Sequence, residues 1–323
     1  MAHARLWAVT AYFNPRGYHS RRINYDIFRR SLGIPLVTVE LASPHGFDLD
    51  DTQADVLVRV PHGDLMWQKE RLLNVALSQL PGECDTVAWL DCDVVFAERD
   101  WPDRVRTALD RSVLVQVYDQ LTHLRAGERP DTAATADPES RRESFASAWT
   151  RGALPADFFR EPRTSADYRC NAGMGWAARR EFLSTHGFYD TMVLGMGDKL
   201  IAAAAVGKSY DAGAGLEMSG AHARHYRRWA ERFHASVGGR VGAIQGSIYH
   251  LWHGDLANRR YNERYRGFAS FAFDPHLDLR ADTFGAWEWA RSRPELRRHV
   301  ENYFVARRED GGEYGGLPIA AAG

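Results

Sequence analysis

Cysteine is scarce. Three of 323 residues are cysteine (Cys84, Cys92 and Cys170), and none has C-x-x-C spacing. That pattern excludes a disulfide framework and a cysteine-based zinc site. No apolar run approaches the ~20 residues that cross a bilayer. The first fifteen residues, MAHARLWAVTAYFNP, lack the long apolar core of a signal peptide. A cytoplasmic chain without a membrane span is the expectation. Charge of one sign is missing too: 41 Lys and Arg against 42 Asp and Glu give a net charge of −1. Neither nucleic acid nor an anionic membrane is therefore an expected partner. No internal repeat is visible. What remains is ordinary globular composition, 45% hydrophobic and 26% charged, with length enough for a sizeable core.

The chain is organised around Thr86–Phe96, TVAWLDCDVVF. A short apolar run bounded by polar residues reads as a buried strand of a parallel sheet. In such sheets ligands lie beyond the carboxyl ends of the strands. Asp91 and Asp93 at that end are costly to bury without a cationic partner. A divalent cation of the Mg²⁺ or Mn²⁺ type suits carboxylates. Two surface aspartates in a turn are the plain alternative.

Strands alternate with helices along the first third. Strands are expected at Leu6–Phe13, Pro35–Leu41 and Asp55–Val60, and helices at Arg22–Leu32 and Asp64–Leu80, the second capped by Asp64. This alternation argues an α/β fold with a parallel sheet. A helix over Trp101–Asp110 and a strand over Val113–Tyr118 follow. Leu124–Ser144 is polar, with Pro130 and Pro138, and reads as a mobile loop or a passive insertion. Helices are expected at Arg179–Thr185, through Val206 after the turn Gly195-Met196-Gly197-Asp198, and at His222–Val237, the last with a basic, solvated face. Gly246–His253 reads as a strand, the aromatic tail after Arg259 as a wrap around the core, and residues 311–323 as a frayed end.

Four stretches carry chemistry. Asp91 and Asp93 offer oxygen ligands, and His250 and His253 offer imidazoles. A mixed Asp/His set favours Mn²⁺ or Mg²⁺-like chemistry over a calcium cage. A spacing of three does not place both histidines on one face of a strand, so a turn near Trp252-His253-Gly254 is required. Asp198, in the glycine-flanked turn Gly195-Met196-Gly197-Asp198, is either a helix N-cap or a carboxylate that takes a proton from a hydroxyl. Lys69, Arg71 and Asn74 share the less apolar side of their helix and face either phosphates or water. Most of the ten tryptophans read as core, and the rest are candidates to cover a sugar face.

These residues carry a resemblance. MWQKERLLNVALSQLPGECDTVAWLDCDVVF resembles the nucleotide-binding core of GT-A glycosyltransferases, above all the β-1,4-galactosyltransferase and polypeptide GalNAc-transferase type. There an R-x-K-L-L-N helix precedes an apolar strand ending in D-V-D. Here these read Lys69-Glu70-Arg71-Leu72-Leu73-Asn74 and Asp91-Cys92-Asp93. The segment from Ala172 to Phe182 is similar to the family's G-G-x-x-A-x-x-x-x-x-F. Gly195-Met196-Gly197-Asp198 stands where the family has W-G-G-E-D, and His250-Leu251-Trp252-His253 where it has M-x-x-H. Tyr12-Phe13-Asn14-Pro15-Arg16 resembles P-F-R-N-R.

The resemblance implies one GT-A domain over 1–310, a mostly parallel twisted sheet with helices on both faces. Its parts would be a nucleotide-binding part (1–118), a mobile loop (119–150), an acceptor and metal part (151–255) and a C-terminal wrap (256–310). It implies transfer of a sugar from a nucleotide sugar, with UDP the expected nucleotide, to a small-molecule or glycan acceptor, with inversion. It places Tyr12, Asn14 and Glu40 near base or ribose, and Lys69, Arg71, Asn74 and Gly173 along the nucleotide sugar. Asp91 would sit at ribose or metal, Asp93, His250 and His253 at the Mn²⁺ or Mg²⁺, and Asp198 as the base. The sequence departs from the family where the E-D pair is reduced to Asp198 followed by Lys199, and where the tail after Gly254 finds no counterpart. It reads as a soluble, prokaryotic-style relative.

Two other readings compete. Asp91-Cys92-Asp93-Val94-Val95 fits the D-x-D-x-[TV] of haloacid-dehalogenase-type phosphatases, with Gly197-Asp198 as an acidic Mg²⁺ loop. About ninety residues precede it, however, and Ala202 occupies the second acid's place. A non-catalytic sugar-nucleotide or glycan-binding module would explain the missing second acid.

Overall fold

The computed structural model describes residues 5–131, 140–160, 170–261 and 263–311. Three parallel strands, β1 (Arg5–Phe13), β2 (Leu36–Leu41) and β3 (Val56–Val60), open the chain and form one edge of the main sheet. The next, β4 (Cys84–Leu90), pairs parallel to β1 on its other side. Beyond it the order is reached by chain reversal. β10 (Gly175–Arg179) runs antiparallel between β4 and β6 (Leu114–Gln116), and β11 (Val241–Ala243) closes the edge. The resulting seven-stranded order is β11-β6-β10-β4-β1-β2-β3.

Alternation along β1 explains the layering, because successive side chains leave opposite faces of a strand. Trp7 and Val9 join the core under helix α2 (Lys69–Ser78), whose Leu72, Leu73 and Ala76 are buried there. Leu6 and Ala8 point the other way, into a second core with Tyr25, Phe28 and Leu32 from helix α1 (His19–Ser31) and its end, and Trp101 and Val105 from helix α3 (Trp101–Ala108). The mostly parallel α/β sheet with helices on both faces is thus present.

A second, five-stranded sheet sits beside the first, in the order β5-β12-β7-β8-β9. Its strands are β5 (Val94–Phe96), β7 (Gln120–His123), β8 (Arg141–Ser144), β9 (Cys170–Asn171) and β12 (Ser247–His250). Several expectations are corrected here. Thr86–Phe96 is two strands in two sheets: β4 ends at Leu90, β5 starts at Val94, and Asp91-Cys92-Asp93 bridges the gap between sheets. The 119–150 region holds β7, β8 and the helix Phe145–Thr150, because Arg141–Thr122 and Glu143–Gln120 pairing recruits its end into the sheet. Residues 132–139 of the expected loop, and 312–323 of the expected frayed tail, lie outside the described residues.

Asp64 caps no helix. The helix begins at Lys69 after Gln68, and the Asp64 carboxylate accepts instead from the backbone of Trp289 at 2.7 Å. The helix Gly220–Val237 is more buried than its basic face suggests, since His222, Tyr226, Ala230, Phe233 and Val237 all pack inward. The tail returns to the main sheet and to the junction. Hairpin β13 (Leu279–Ala281) and β14 (Trp287–Trp289) lies against the start of α2, and the helix Pro294–Ala306 leads Arg307 and Glu309 back to the junction of the two sheets.

Candidate active site

A cavity of about 420 Å³ opens at the junction, beyond the carboxyl ends of β1 and β4. This is where ligands bind open α/β sheets, and the volume falls in the usual range for small-molecule sites. Two groups of charged side chains face it.

The first is Asp93, His250 and His253, whose ligand atoms all lie within 4.8 Å of one another. The backbone explains the convergence. Leu251 N donates to Asp93 O at 2.9 Å, which fastens the end of β12 to the turn carrying Asp93. The strand stops at His250, and Gly254 turns the chain with φ 81°, packed so closely on residues 308 and 309 that a Cβ would clash. The turn the spacing demands is therefore there, and both imidazoles face the carboxylate. His253 Nε2 is 2.9 Å from Asp93 Oδ2, His250 Nε2 is 3.7 Å from Asp93 Oδ1, and the two Nε2 atoms are 3.2 Å apart.

This donor set fits a divalent cation. Asp93 Oδ1 is buried with no hydrogen-bond partner, an expensive state for a carboxylate oxygen. Arg259 Nη2 donates to His253 Nε2 at 2.9 Å, yet the same nitrogen faces Asp93, to which it can only donate. One nitrogen cannot play both parts; a cation taking its lone pair would satisfy this nitrogen and the Asp93 carboxylate together, in place of the Arg259 donor. Burial holds His250 neutral, well below the usual imidazole range, as a metal ligand must be. Burial opposes ionisation of Asp93, but His250, His253 and Arg259 outweigh it and hold the carboxyl low. Two nitrogens and a carboxylate suit Mn²⁺-type ions.

The second group is centred on Lys69. Its Nζ lies 2.5 Å from Asp91 Oδ1 and 2.8 Å from Asp198 Oδ2. Burial works against the ammonium, but Asp198 and Asp91 raise its pKa well above normal. Asp91 belongs to this group rather than to the histidine group, because the lysine holds it; burial raises its pKa against the pull of Lys69. Asp198 is the second residue of the helix Gly197–Ala205, whose N-cap is Met196, so it does not cap the helix with its side chain. Gly173 lies beside it, and a Cβ there would come within 3.4 Å of Asp198 Oδ2. Beneath both acids, burial pushes Glu70 up to about 8 against the opposing pull of Lys69. Gly197 packs on Glu70 so tightly that any side chain would overlap it.

The other expected nucleotide residues are engaged elsewhere. Tyr12 and Asn14 both donate to Asp48 Oδ2, at 2.8 and 2.9 Å, and Glu40 accepts from the Asp48 and Leu49 amides. Arg71 is drawn to Asp190 and the Gly285 carbonyl and lies over the Trp287 ring at 4.4 Å. Asn74 brackets Phe188 through both its backbone groups and donates to Asp190. None of these five lines the cavity.

Sequence reasoning missed several residues that do line it. His123 ends β7, which pairs parallel with β12 so that His123 sits opposite His250, their Nδ1 atoms 3.1 Å apart. Such a contact fixes which nitrogen of His250 is free to ligate. Arg259, Arg264 and Arg307 come from the tail and carry no motif. Glu309, buried, pairs with Arg21 and Arg307 and lies 3.5 Å from His253 Nδ1.

No family model matches the chain, and no curated protein matches it. Solved structures do. S. aureus TarS, in complex with UDP-GlcNAc, is similar over 94% of this chain and 81% of its own, at 10% identity and a TM-score of 0.41. Glucosyl-3-phosphoglycerate synthase from Mycobacterium tuberculosis, with Mg²⁺ and UDP, is similar over 86% and 83%, at 15% identity and 0.37. The same synthase with Mn²⁺, UDP and glucosyl-3-phosphoglycerate aligns over 99% and 90%, at 12% identity and 0.35. Among the described residues no helix is long and apolar enough to cross a membrane.

Proposed function

We propose that the protein is a metal-dependent glycosyltransferase that moves a sugar from a nucleotide sugar, with UDP as the nucleotide, to an acceptor hydroxyl. The observation that carries this reading is the pairing, in one cavity, of the Asp93–His250–His253 group, its histidines buried, with a separate carboxylate, Asp198, held by a lysine. The β-1,4-galactosyltransferase-like motif order supports the same assignment.

Asp93, His250 and His253 would hold the cation, which when bound supplies Lewis-acid neutralisation of a departing diphosphate. Arg259, beside His253, adds a fixed positive charge on that side. In the reaction the acceptor oxygen bonds to the anomeric carbon, and the bond to the β-phosphate oxygen breaks with its electron pair leaving on the diphosphate. The acceptor proton passes to Asp198. Lys69 occupies Oδ2 of that carboxylate, leaving Oδ1 to receive the proton. Attack opposite the leaving group inverts the anomeric centre. The same residues give a phosphatase little to work with: its nucleophile, Asp91, is bound by Lys69 and stands outside the Asp/His group.

Calorimetric titration of UDP with and without Mn²⁺ tests the reading. Binding should need the metal and vanish in Asp93→Ala. UDP binding that is equal with Mn²⁺ and with chelator, or unchanged in the variant, would overturn it.

A further inference from the structure

Some cations at the cavity have a counter-charge. Lys69 has Asp91 and Asp198, and Arg21 and Arg307 share Glu309. Others, Lys199 and Arg264 among them, have no carboxylate partner among the described residues. Lys199, directly after Asp198, lines the cavity and, among the described residues, makes no hydrogen bond or ion pair. Burial depresses its ammonium to about 8, and the Arg264 guanidinium adds to the effect. Arg264 is 6% exposed, also lines the cavity, and has no carboxylate partner among the described residues. Its Nη1 donates to Tyr303 Oη at 2.6 Å and its plane lies 4.8 Å from the Tyr261 ring centre, while Nε is buried without a partner. A third donor beside them, Trp67 Nε1, is equally without an acceptor. Setting a buried guanidinium near a partly buried ammonium without an anion is costly. A guanidinium fork next to an ammonium is the arrangement that binds a carboxylate or phosphate.

We infer that Lys199 and Arg264 form a binding site for a compact oxyanion, a carboxylate or phosphate carried by the acceptor substrate. The inference rests on the glycosyltransferase reading in one respect only, the assignment of the anion to the acceptor. Lys199 is the chain neighbour of Asp198, which meets the acceptor hydroxyl, whereas the donor's diphosphate belongs beside Asp93, the histidines and Arg259. The anionic group would then hold the acceptor with its hydroxyl at Asp198. This also accounts for a lysine following Asp198 where the resembled family carries acids.

The test is a calorimetric titration of inorganic phosphate, and separately of acetate, into protein held saturated with UDP and Mg²⁺. At least one anion should bind the saturated wild type. Its affinity should fall by at least about tenfold in saturated Lys199→Met, the loss of one charge-assisted contact. Arg264→Gln should act in the same direction, and Lys199→Met alone decides the matter if Arg264→Gln does not fold. Which anion binds separates phosphate from carboxylate. Three outcomes overturn the proposal: neither anion binds, Lys199→Met binds as wild type, or the anion binds only the free protein and UDP displaces it. The last would assign these cations to the donor. Failure of UDP itself to bind is a different result. It removes the donor reading, and titration of the free wild type and Lys199→Met then decides the anion site by the same tenfold criterion.

Discussion

Replacing Lys69 by methionine should cost a large share of the stability. The methionine keeps most of the aliphatic stem, so packing against α2 and its neighbours is little altered. What is lost is the charge between Asp91 and Asp198, at 2.5 and 2.8 Å, in a position where the lysine side chain is only 13% exposed. Glu70, fully enclosed, lies within the same field. Without the ammonium, three acids share one pocket with no cation among them. Breaking a buried pair by removing one partner typically costs about 3–5 kcal/mol. For a chain of this size roughly 2–4 °C of melting temperature accompanies each kcal/mol, so a drop of roughly 6–20 °C follows at pH 8.

The pH dependence separates charge from packing. Burial already raises Asp91 and Glu70 above the ordinary carboxylate range, opposed by Lys69. Removing the lysine lets both rise further. A native state that holds protons the unfolded chain releases loses stability as pH increases. The difference in melting temperature between wild type and Lys69→Met should therefore shrink between pH 8 and pH 5, where the acids can take up protons. Scanning fluorimetry across that range is sufficient. A variant melting within about 2 °C of wild type at pH 8 would refute the clamp, and an equal deficit at both pH values would reassign the loss to packing.

Asp198→Asn should stay folded, because Lys69 keeps Asp91; the lost charged hydrogen bond costs about 1.5–3 kcal/mol. Transfer should fall by ~10²–10⁴, and near-wild-type turnover would move the base elsewhere. Glu70→Gln should flatten the pH profile of stability. The wild-type carboxyl, pushed up to about 8, binds a proton in the native state that the unfolded chain has released, so stability declines from the ordinary carboxylate range up to that pH. Denaturant titrations at pH 5 and 8 measure this, and an unchanged profile would contradict the assignment. Asn74→Ala, losing its bonds to Phe188 and Asp190, should cost about 1–3 kcal/mol and leave UDP affinity alone; a weakened UDP affinity would restore Asn74 to the nucleotide site.

The parts of this protein that were legible in its sequence are those set by local pattern. The apolar run before Asp91 identifies a buried strand because five residues suffice to show it. Gly254 announces the turn after His250 because only a residue free at positive φ, with no Cβ to strike the tail, fits there. The extent of that strand was not legible. Nothing in Val94-Val95-Phe96 distinguishes continuation of β4 from pairing with β12 in another sheet. His123 escaped notice for a related reason: its partner is 127 positions away and is reached only through strand register. Arg71 and Asn74 show the opposite error. Their motif is local and points to a nucleotide, yet Asp190, Phe188 and Trp287, all distant in sequence, claim both side chains.

Charge is where local pattern carries least, because compensation is a property of neighbours in space. A net charge of −1 describes the chain as balanced, but the balance is uneven within the cavity. One wall gathers Glu70, Asp91 and Asp198 around a single lysine, so its acids exceed its cations. Elsewhere the tail brings Arg264 near Lys199, and among the described residues neither has a carboxylate partner. The tail that supplies Arg259, Arg264, Arg307 and Glu309 matches no motif, and it is the segment that decides both the surroundings of His253 and the charge of the open wall. A reading confined to motifs therefore finds the group suited to a metal and the proposed base, and passes over the residues by which, on the proposed reading, one acceptor would be told from another.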